Sequence, residues 1–458
     1  MMRGWYCVLL VLMAAGLQAA EPASTWKAGA ASVKITPDGP MWMAGYASRD
    51  KPSEGVAQDL FAKALVLRDE TGSTAVLVTL DLISVPVALR NAVSEELRKR
   101  HQVPDGALLM NCSHTHCGPE LRTASDFDDS ISEQRRKQAG QYREQLQQRI
   151  LEAVNQAFAK LAPANISYQR ARAGFAMNRR TPANGNWLNA PWPDGPVDHD
   201  VPVLRVEDAE GKLRAILFGY ACHNTTLGFY QMCGDYAGYA QEYLQQEHPE
   251  AVALFLMGCG GDQNPYPRRT LELAQMHGRS LATAVNAALE TPKRPVQGAL
   301  RAALMTVDVA YAPAPSVEEL KVRSESKDSY DAAWARRLIK YRDASGSLPE
   351  KYPAPVQVLR IGRDLILIAL PGETVVDYSL RLKSELAVPD GPAVWVAGYS
   401  NNVFAYVPSR RVLLEGGYEG GGAMRYFSSI IHPGPFAPDI EERLIGGVHQ
   451  LLKQTAEK

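Results

Sequence analysis

Four apolar runs in this chain each stop at a side chain that can bind a metal. Leu108–Met110 runs into NCSHTHCGP, which places His114 and His116 one residue apart, flanked by Cys112 and Cys117. Ala215–Ala221 stops at Cys222-His223, and Leu365–Leu370 is followed by Pro371-Gly372-Glu373. Ala393–Ala397 leads into a glycine- and aromatic-rich loop, Gly398–Phe427, which holds Tyr406. Two further runs behave similarly: Ala75–Leu80 ends at Asp81, and Ala251–Met257 ends in GCGGDQNP. Short apolar runs bounded by turn residues read as buried strands.

Helical periodicity lies between these runs, over Val87–Arg100, Ser132–Leu161, Asp235–Gln246, Leu271–Leu289, Thr374–Ser384 and Ile440–Thr455. Alternating strands and helices predict an α/β fold, with mixed sheets flanked by helices. Ligands of open α/β sheets bind outside the carboxyl ends of the strands. The run-ending loops are therefore expected to converge on one site. Further expected strands are 25–36, Ile166–Ala173 and Val356–Ile361. Pro202–Val206 and Ala215–Ala221 should pair antiparallel around Glu210-Gly211. Phe175–Asn189, which contains Asn178-Arg179-Arg180, reads as loop. Asp235 is the expected N-cap of its helix, and Ala139-Gly140 is a potential break in the long one. Pro, Ser, Lys and Glu rise between Ala312 and Pro355, which predicts a helical excursion or lid with two helices.

With 46% hydrophobic and 22% charged residues, the 458-residue chain is an ordinary globular sequence. A net charge of −1 leaves no electrostatic footprint for nucleic acid. Arg3, the apolar Trp5–Leu17 and the small Ala19 and Ala20 predict a signal peptide over 1–20, and hence an exported protein, periplasmic or secreted. The apolar stretch is short for a membrane span, and no later one is long enough. Five cysteines remain after residue 20; one disulfide or buried free thiols are both compatible with their spacing.

Taken singly, the candidate ligands have bland explanations. A lone histidine such as His223 is more often a hydrogen-bonded core residue. Glu373 fits a helix N-terminus, and a loop tyrosine such as Tyr406 usually packs. In an extended segment, His114 and His116 would point the same way. Together the run ends supply imidazole nitrogens, a carboxylate and a phenolate. Zinc takes N and O ligands and, in catalytic sites, keeps a position for water. The glycines at 258–261 carry neither GxGxxG nor a P-loop lysine.

The segments SHTHCGP, ACHNTT, LPGETVVDY and NNVFAYVPSRRVLLEGGYEG, with MAGYA and GFAMNRR, resemble the neutral/alkaline (non-lysosomal) ceramidase family, in the family's order between Lys27 and Phe427. The resemblance implies a zinc-dependent hydrolase that cleaves the N-acyl amide of ceramide or a related lipid. It implies zinc ligands His114, His223, Glu373 and Tyr406. His116 would face the reacting carbonyl, Arg179 would line the site, and Tyr418 would contact substrate. One departure is Asn264, which stands where the family has a serine. An amide cannot replace that hydroxyl as a nucleophile but can hydrogen-bond a carbonyl. A second concerns the family's immunoglobulin-like C-terminal domain: a single catalytic domain over 21–458 is expected, without it. These departures keep two alternatives open, a zinc hydrolase of another amide or ester (an N-acyl sugar or peptide) and a non-catalytic member of the family.

Overall fold

The computed structural model describes residues 26–123, 127 and 131–456. The signal peptide expected at 1–20 lies outside the described residues. The alternation of strands and helices resolves into three strand–helix–strand units with parallel strands. They are Thr74–Leu80, Val87–His101 and Leu108–Cys112; Leu213–Tyr220, Asp235–Glu247 and Val252–Met257; and Leu365–Ala369, Val376–Glu385 and Ala393–Ala397.

The first two units form the ends of one large sheet. Its order runs Val252–Met257, Leu213–Tyr220, Asp200–Glu207, Ala162–Arg172, Trp26–Lys34, Phe61–Arg68, Thr74–Leu80, Leu108–Cys112. Between the two parallel ends the strands are antiparallel. The third unit belongs to a second sheet, ordered Arg301–Ala310, Lys351–Ile361, Leu365–Ala369, Ala393–Ala397.

Strand alternation sorts side chains into two buried faces. Val76, Val78, Ile216 and Phe255 pack with residues of the helices Val87–His101, Glu133–Ala159, Asp235–Glu247 and Leu271–Leu289. Leu77, Leu109, Leu217 and Leu254 pack instead with Leu359, Leu367 and Trp395 of the second sheet. The far face of that sheet, including Val358 and Ile368, packs with Leu444, Val448 and Leu451 of the closing helix Ile440–Gln454. The layers are helices, sheet, sheet, helices. A strand buried on both faces has no polar side, which is why these runs are continuously apolar in sequence.

Three sheet-edge strands meet at Asn111. Its Nδ2 donates to the Gly398 carbonyl at 2.8 Å and to the Ser400 hydroxyl at 3.1 Å, and its Oδ1 accepts from Met257 N at 2.8 Å. One wholly buried amide thus ties the ends of Leu108–Cys112, Val252–Met257 and Ala393–Ala397 together.

Several expectations need correction. Phe175–Asn189 is not loop: Ala176–Ala183 and Asn186–Trp192 form an antiparallel hairpin. Its turn is Asn184-Gly185 with φ of 49° and 78°, the Asn-Gly signature of a two-residue hairpin. The long helix Glu133–Ala159 is unbroken at Ala139-Gly140, with Ala139 in the core. Gly234, not Asp235, caps the third helix, and the Asp235 carboxylate accepts instead from Leu227 N at 2.8 Å and Tyr236 N at 2.6 Å. The loop Gly398–Phe427 contains a helix, Arg410–Glu415, and a short strand, Tyr406–Val407, that pairs with Glu373–Thr374.

The excursion does hold two helices, Val317–Ser324 and Ser329–Ser345. It is tied to the segment that holds Arg425 and His432 and to the loop at Ala47. Trp334 Nε1 donates to the His432 carbonyl at 2.8 Å, Asp328 pairs with Arg425 at 2.8 Å, and Tyr330 Oη donates to the Ala47 carbonyl at 2.7 Å. All five described cysteines are free and buried. Among the described residues no helix is long and apolar enough to cross a membrane.

Candidate active site

Each strand–helix–strand unit delivers site residues from the loops after its strands. His114 follows Leu108–Cys112, His223 follows Leu213–Tyr220, Glu373 follows Leu365–Ala369, and Tyr406 follows Ala393–Ala397. Glu373 and Tyr406 are register partners in their short parallel pairing.

The side chains converge. Glu373 Oε2 lies 3.1 Å from His114 Nε2 and 3.0 Å from His223 Nε2. His223 Nε2 lies 3.2 Å from Tyr406 Oη, and His114 Nε2 lies 3.2 Å from His116 Nε2. All are buried except His116, which reaches the rim. His114 and His116 do face one pocket, but the segment between them is not extended. His114 takes a left-handed φ of 59°, a conformation non-glycine residues seldom adopt and which clusters at functional sites.

The tautomers follow from the second nitrogens. His114 Nδ1 lies 2.7 Å from the Ile83 carbonyl, and His223 Nδ1 lies 2.6 Å from the Gly260 carbonyl. A carbonyl only accepts, so each Nδ1 carries the proton and each Nε2 presents a bare lone pair. Two lone pairs and a carboxylate oxygen thus meet at contact distance. That arrangement is repulsive unless a cation lies among them, so the donor set fits a divalent metal such as zinc. Three histidine ligand nitrogens, one each from His114, His116 and His223, also lie within 4.8 Å of one another.

Burial and the adjacent Arg179 charge push His223 down to about 4. His116 is lowered by burial and by its two histidine neighbours, and its Nδ1 has no hydrogen-bond partner. The Tyr46 ring sits 4.8 Å from the His116 ring. Gly45 makes room for it: a Cβ there would lie 2.5 Å from His116 Cγ.

Arg179 enters from the hairpin. Its Nη2 donates to Tyr406 Oη at 2.9 Å and its Nη1 to Asn264 Oδ1 at 3.3 Å. Asn264 is wholly buried, and its Oδ1 also accepts from Thr225 Oγ1 at 3.1 Å. It therefore supports Arg179. Tyr418 is the exposed lip, 39% accessible, with its ring 5.3 Å from that of Tyr406. All eight sequence-predicted residues thus lie in one connected cluster.

One residue of the cluster was given no role from the sequence. Glu419 is buried between two guanidiniums, accepting from Arg179 Nε at 2.8 Å and Arg180 Nη1 at 2.7 Å. It anchors Arg179 and, being adjacent to Tyr418, the lip as well. The signals were its place in GYEG beside Tyr418 and the Asn-Arg-Arg run, since two arginines entering a core demand a carboxylate whose position depends on topology. The arginines outweigh burial and hold the Glu419 carboxyl below its ordinary 4.5. Its stabilisation is therefore present above 4.5 and lost as the pH falls through the depressed folded value. Glu419→Gln is expected to cost about 3 kcal/mol near pH 7, because two buried cations lose their anion. The gap from wild type should close as the pH drops below 4.5, which urea unfolding across pH 3–7 would measure.

Comparison with known proteins identifies the scaffold. The sequence model of the neutral/alkaline non-lysosomal ceramidase family, N-terminal region, matches residues 26–266. The chain belongs to this family. The neutral ceramidase of Mycobacterium tuberculosis is 24% identical over 476 residues, covering 83% of this chain and 71% of that protein. The crystal structure of neutral ceramidase from Pseudomonas aeruginosa superposes with a TM-score of 0.70 at 19% identity, covering 95% of this chain and 74% of that one. A ceramidase complexed with C2 matches with a TM-score of 0.68 at 19% identity, over 93% and 76% of the two chains. In family and fold the protein is a ceramidase-type hydrolase.

Proposed function

We propose that this ceramidase-family protein is an exported zinc amidohydrolase that cleaves the N-acyl amide of ceramide or a related N-acyl lipid into a fatty acid and an amine. The observation that carries the reading is the pair of bare Nε2 lone pairs of His114 and His223, aimed at Glu373 Oε2 3.1 and 3.0 Å away. His114, His223, Glu373 and Tyr406 are the ligands in this reading. His116 is left out because no partner locks its Nδ1, whereas ligating histidines almost always have the second nitrogen fixed. When bound, zinc supplies Lewis acidity toward a carbonyl and lowers the pKa of water to about 7.

The chain's own residues do the rest. His116, at the rim beside His114, accepts the proton released by water and returns it to the leaving amine nitrogen. Arg179 fixes the Tyr406 oxygen and offers positive charge to the developing oxyanion. Asn264 and Glu419 hold the Arg179 fork in place. Tyr418 lies on the substrate side, and the excursion helices Val317–Ser324 and Ser329–Ser345 wall the loop behind it.

The test is a panel of a short-chain fluorescent ceramide, an N-acyl sugar and an N-acyl peptide, assayed on zinc-loaded and chelated protein. Release of fatty acid from the ceramide, lost on chelation and restored by zinc, is expected. Hydrolysis confined to the sugar or peptide would move the substrate assignment. Zinc bound with no amide cleaved would overturn the enzyme reading.

A further inference from the structure

Two consecutive arginines, Arg268 and Arg269, stand beside the cleft without a counter-ion. Among the described residues neither forms an ion pair, and the Arg268 side chain makes no hydrogen bond. Two routes from the reacting centre lead to them. From Arg179, Asn264 Nδ2 reaches Tyr266 Oη at 3.4 Å, and the Arg268 guanidinium lies over the Tyr266 ring, 5.4 Å from its centre. From His116, the Tyr46 ring is 4.8 Å away, and the Arg269 guanidinium lies 5.5 Å over Tyr46 and donates to its hydroxyl at 3.2 Å.

The pair is held, not loose. Arg269 has a left-handed φ of 104°, fixed by a 2.7 Å bond from its N to the Thr226 carbonyl, three residues past His223. Its guanidinium rests on Gly228, where a Cβ would approach Nη1 to 3.2 Å. Arg268 is half-buried, and that burial with the charge of Arg269 lowers its pKa. Nearby acids are engaged elsewhere: Asp235 is wholly buried and bonded to Leu227 N and Tyr236 N, and Glu272 bonds back to its own helix start at Thr270. The helix Leu271–Leu289 begins just after the pair and adds the positive end of its dipole. Arg269 is exposed and Arg268 half-buried, so the two adjacent guanidiniums, with no carboxylate partner among the described residues, present a local positive patch open to an anion from solvent.

We propose that Arg268 and Arg269 form an anion-binding subsite at the rim of the site, and that among the related N-acyl lipids of that reading those whose amine half carries a negative group, such as an N-acyl amino acid or N-acyl aminosulfonate, are preferred. This rests on the amide-hydrolase reading of the site. The acyl half is an apolar chain, and the aromatic lip of Tyr418, Tyr426 and Phe427 suits it. The arginines instead adjoin Tyr46 and His116, the residue that returns the proton to the leaving nitrogen.

The experiment compares N-dodecanoylethanolamine with N-dodecanoylglycine and N-dodecanoyltaurine, which share one acyl chain and differ in charge. Wild type should favour the anionic amides in kcat/KM by about tenfold or more, and raised salt should shrink that ratio. The double variant Arg268→Gln/Arg269→Gln should bring the ratio near one, whereas Arg269→Lys should retain most of it. Cleavage of all three amides without charge preference, or a preference that survives in the double variant, would overturn the subsite and leave the hydrolase reading standing. If wild type cleaves none of them, calorimetry with octyl phosphate and octyl glucoside decides the matter separately. Octyl phosphate bound about tenfold more weakly by the double variant supports the subsite, and equal binding refutes it.

Discussion

His116→Ala is expected to lower kcat/KM by about 10²–10⁴-fold while leaving the metal content at the wild-type level. The expectation follows from an asymmetry between two neighbouring histidines. His114 is buried, with Nδ1 locked to the Ile83 carbonyl at 2.7 Å and Nε2 turned toward Glu373. His116 reaches the rim and has an Nδ1 without a partner. Its ring is positioned by packing, between Gly45 and Tyr46, not by a carbonyl. Metal analysis of the purified variant beside single-turnover kinetics would check the division of labour. Loss of metal in this variant would show that His116 is a ligand and that the three-histidine set is the true one.

His223→Ala should do more damage. Metal affinity should fall by well over about a hundredfold, beyond the 10–100-fold typical for removing an outer-shell partner. Turnover should fall to background. His223 is the one ring that contacts both oxygen donors, 3.0 Å from Glu373 Oε2 and 3.2 Å from Tyr406 Oη. Without it the buried Glu373 carboxylate keeps only His114. A ligand that binds the folded state alone raises the melting temperature. Zinc should therefore raise the melting temperature of wild type and leave that of the variant unmoved. A variant that keeps both the metal and the thermal shift would remove His223 from the ligand set.

Much of this arrangement was legible in the sequence. The runs ending at His114, His223 and Glu373 are strands, and their loops meet, because buried parallel strands have to be continuously apolar and their carboxyl ends open onto one side of the sheet. The hairpin carrying Arg179 was obscured by its composition. Asn178, Arg179 and Arg180 are buried polar residues, so the segment lacks apolar alternation, and only Asn184-Gly185 marked the turn. Asp235 had the right residue type for a cap, yet its carboxylate serves Leu227 N and Tyr236 N, which ties down the segment after His223. Glu419 was out of reach, because what gives it meaning is two arginines about 240 positions earlier, at 2.7–2.8 Å only in the fold.

The stitch at Asn111 has a consequence for how the protein comes apart. The large sheet brings His114, His116 and His223 and the hairpin brings Arg179, all within the 26–266 segment matched by the family, whereas Glu373, Tyr406 and Tyr418 arrive with the second sheet. A cation shared by His114, His223 and Glu373 would bridge the seam between the two, at the place where Asn111 already joins Met257 to Gly398 and Ser400. Metal capture and the closing of that seam are then one thermodynamic event. Stripping the ion should loosen the two halves from each other before either sheet melts, and limited proteolysis of the chelated protein should cut first between residues 296 and 300, where the chain passes from Arg294–Pro295 of the large sheet to Arg301–Ala310 of the second.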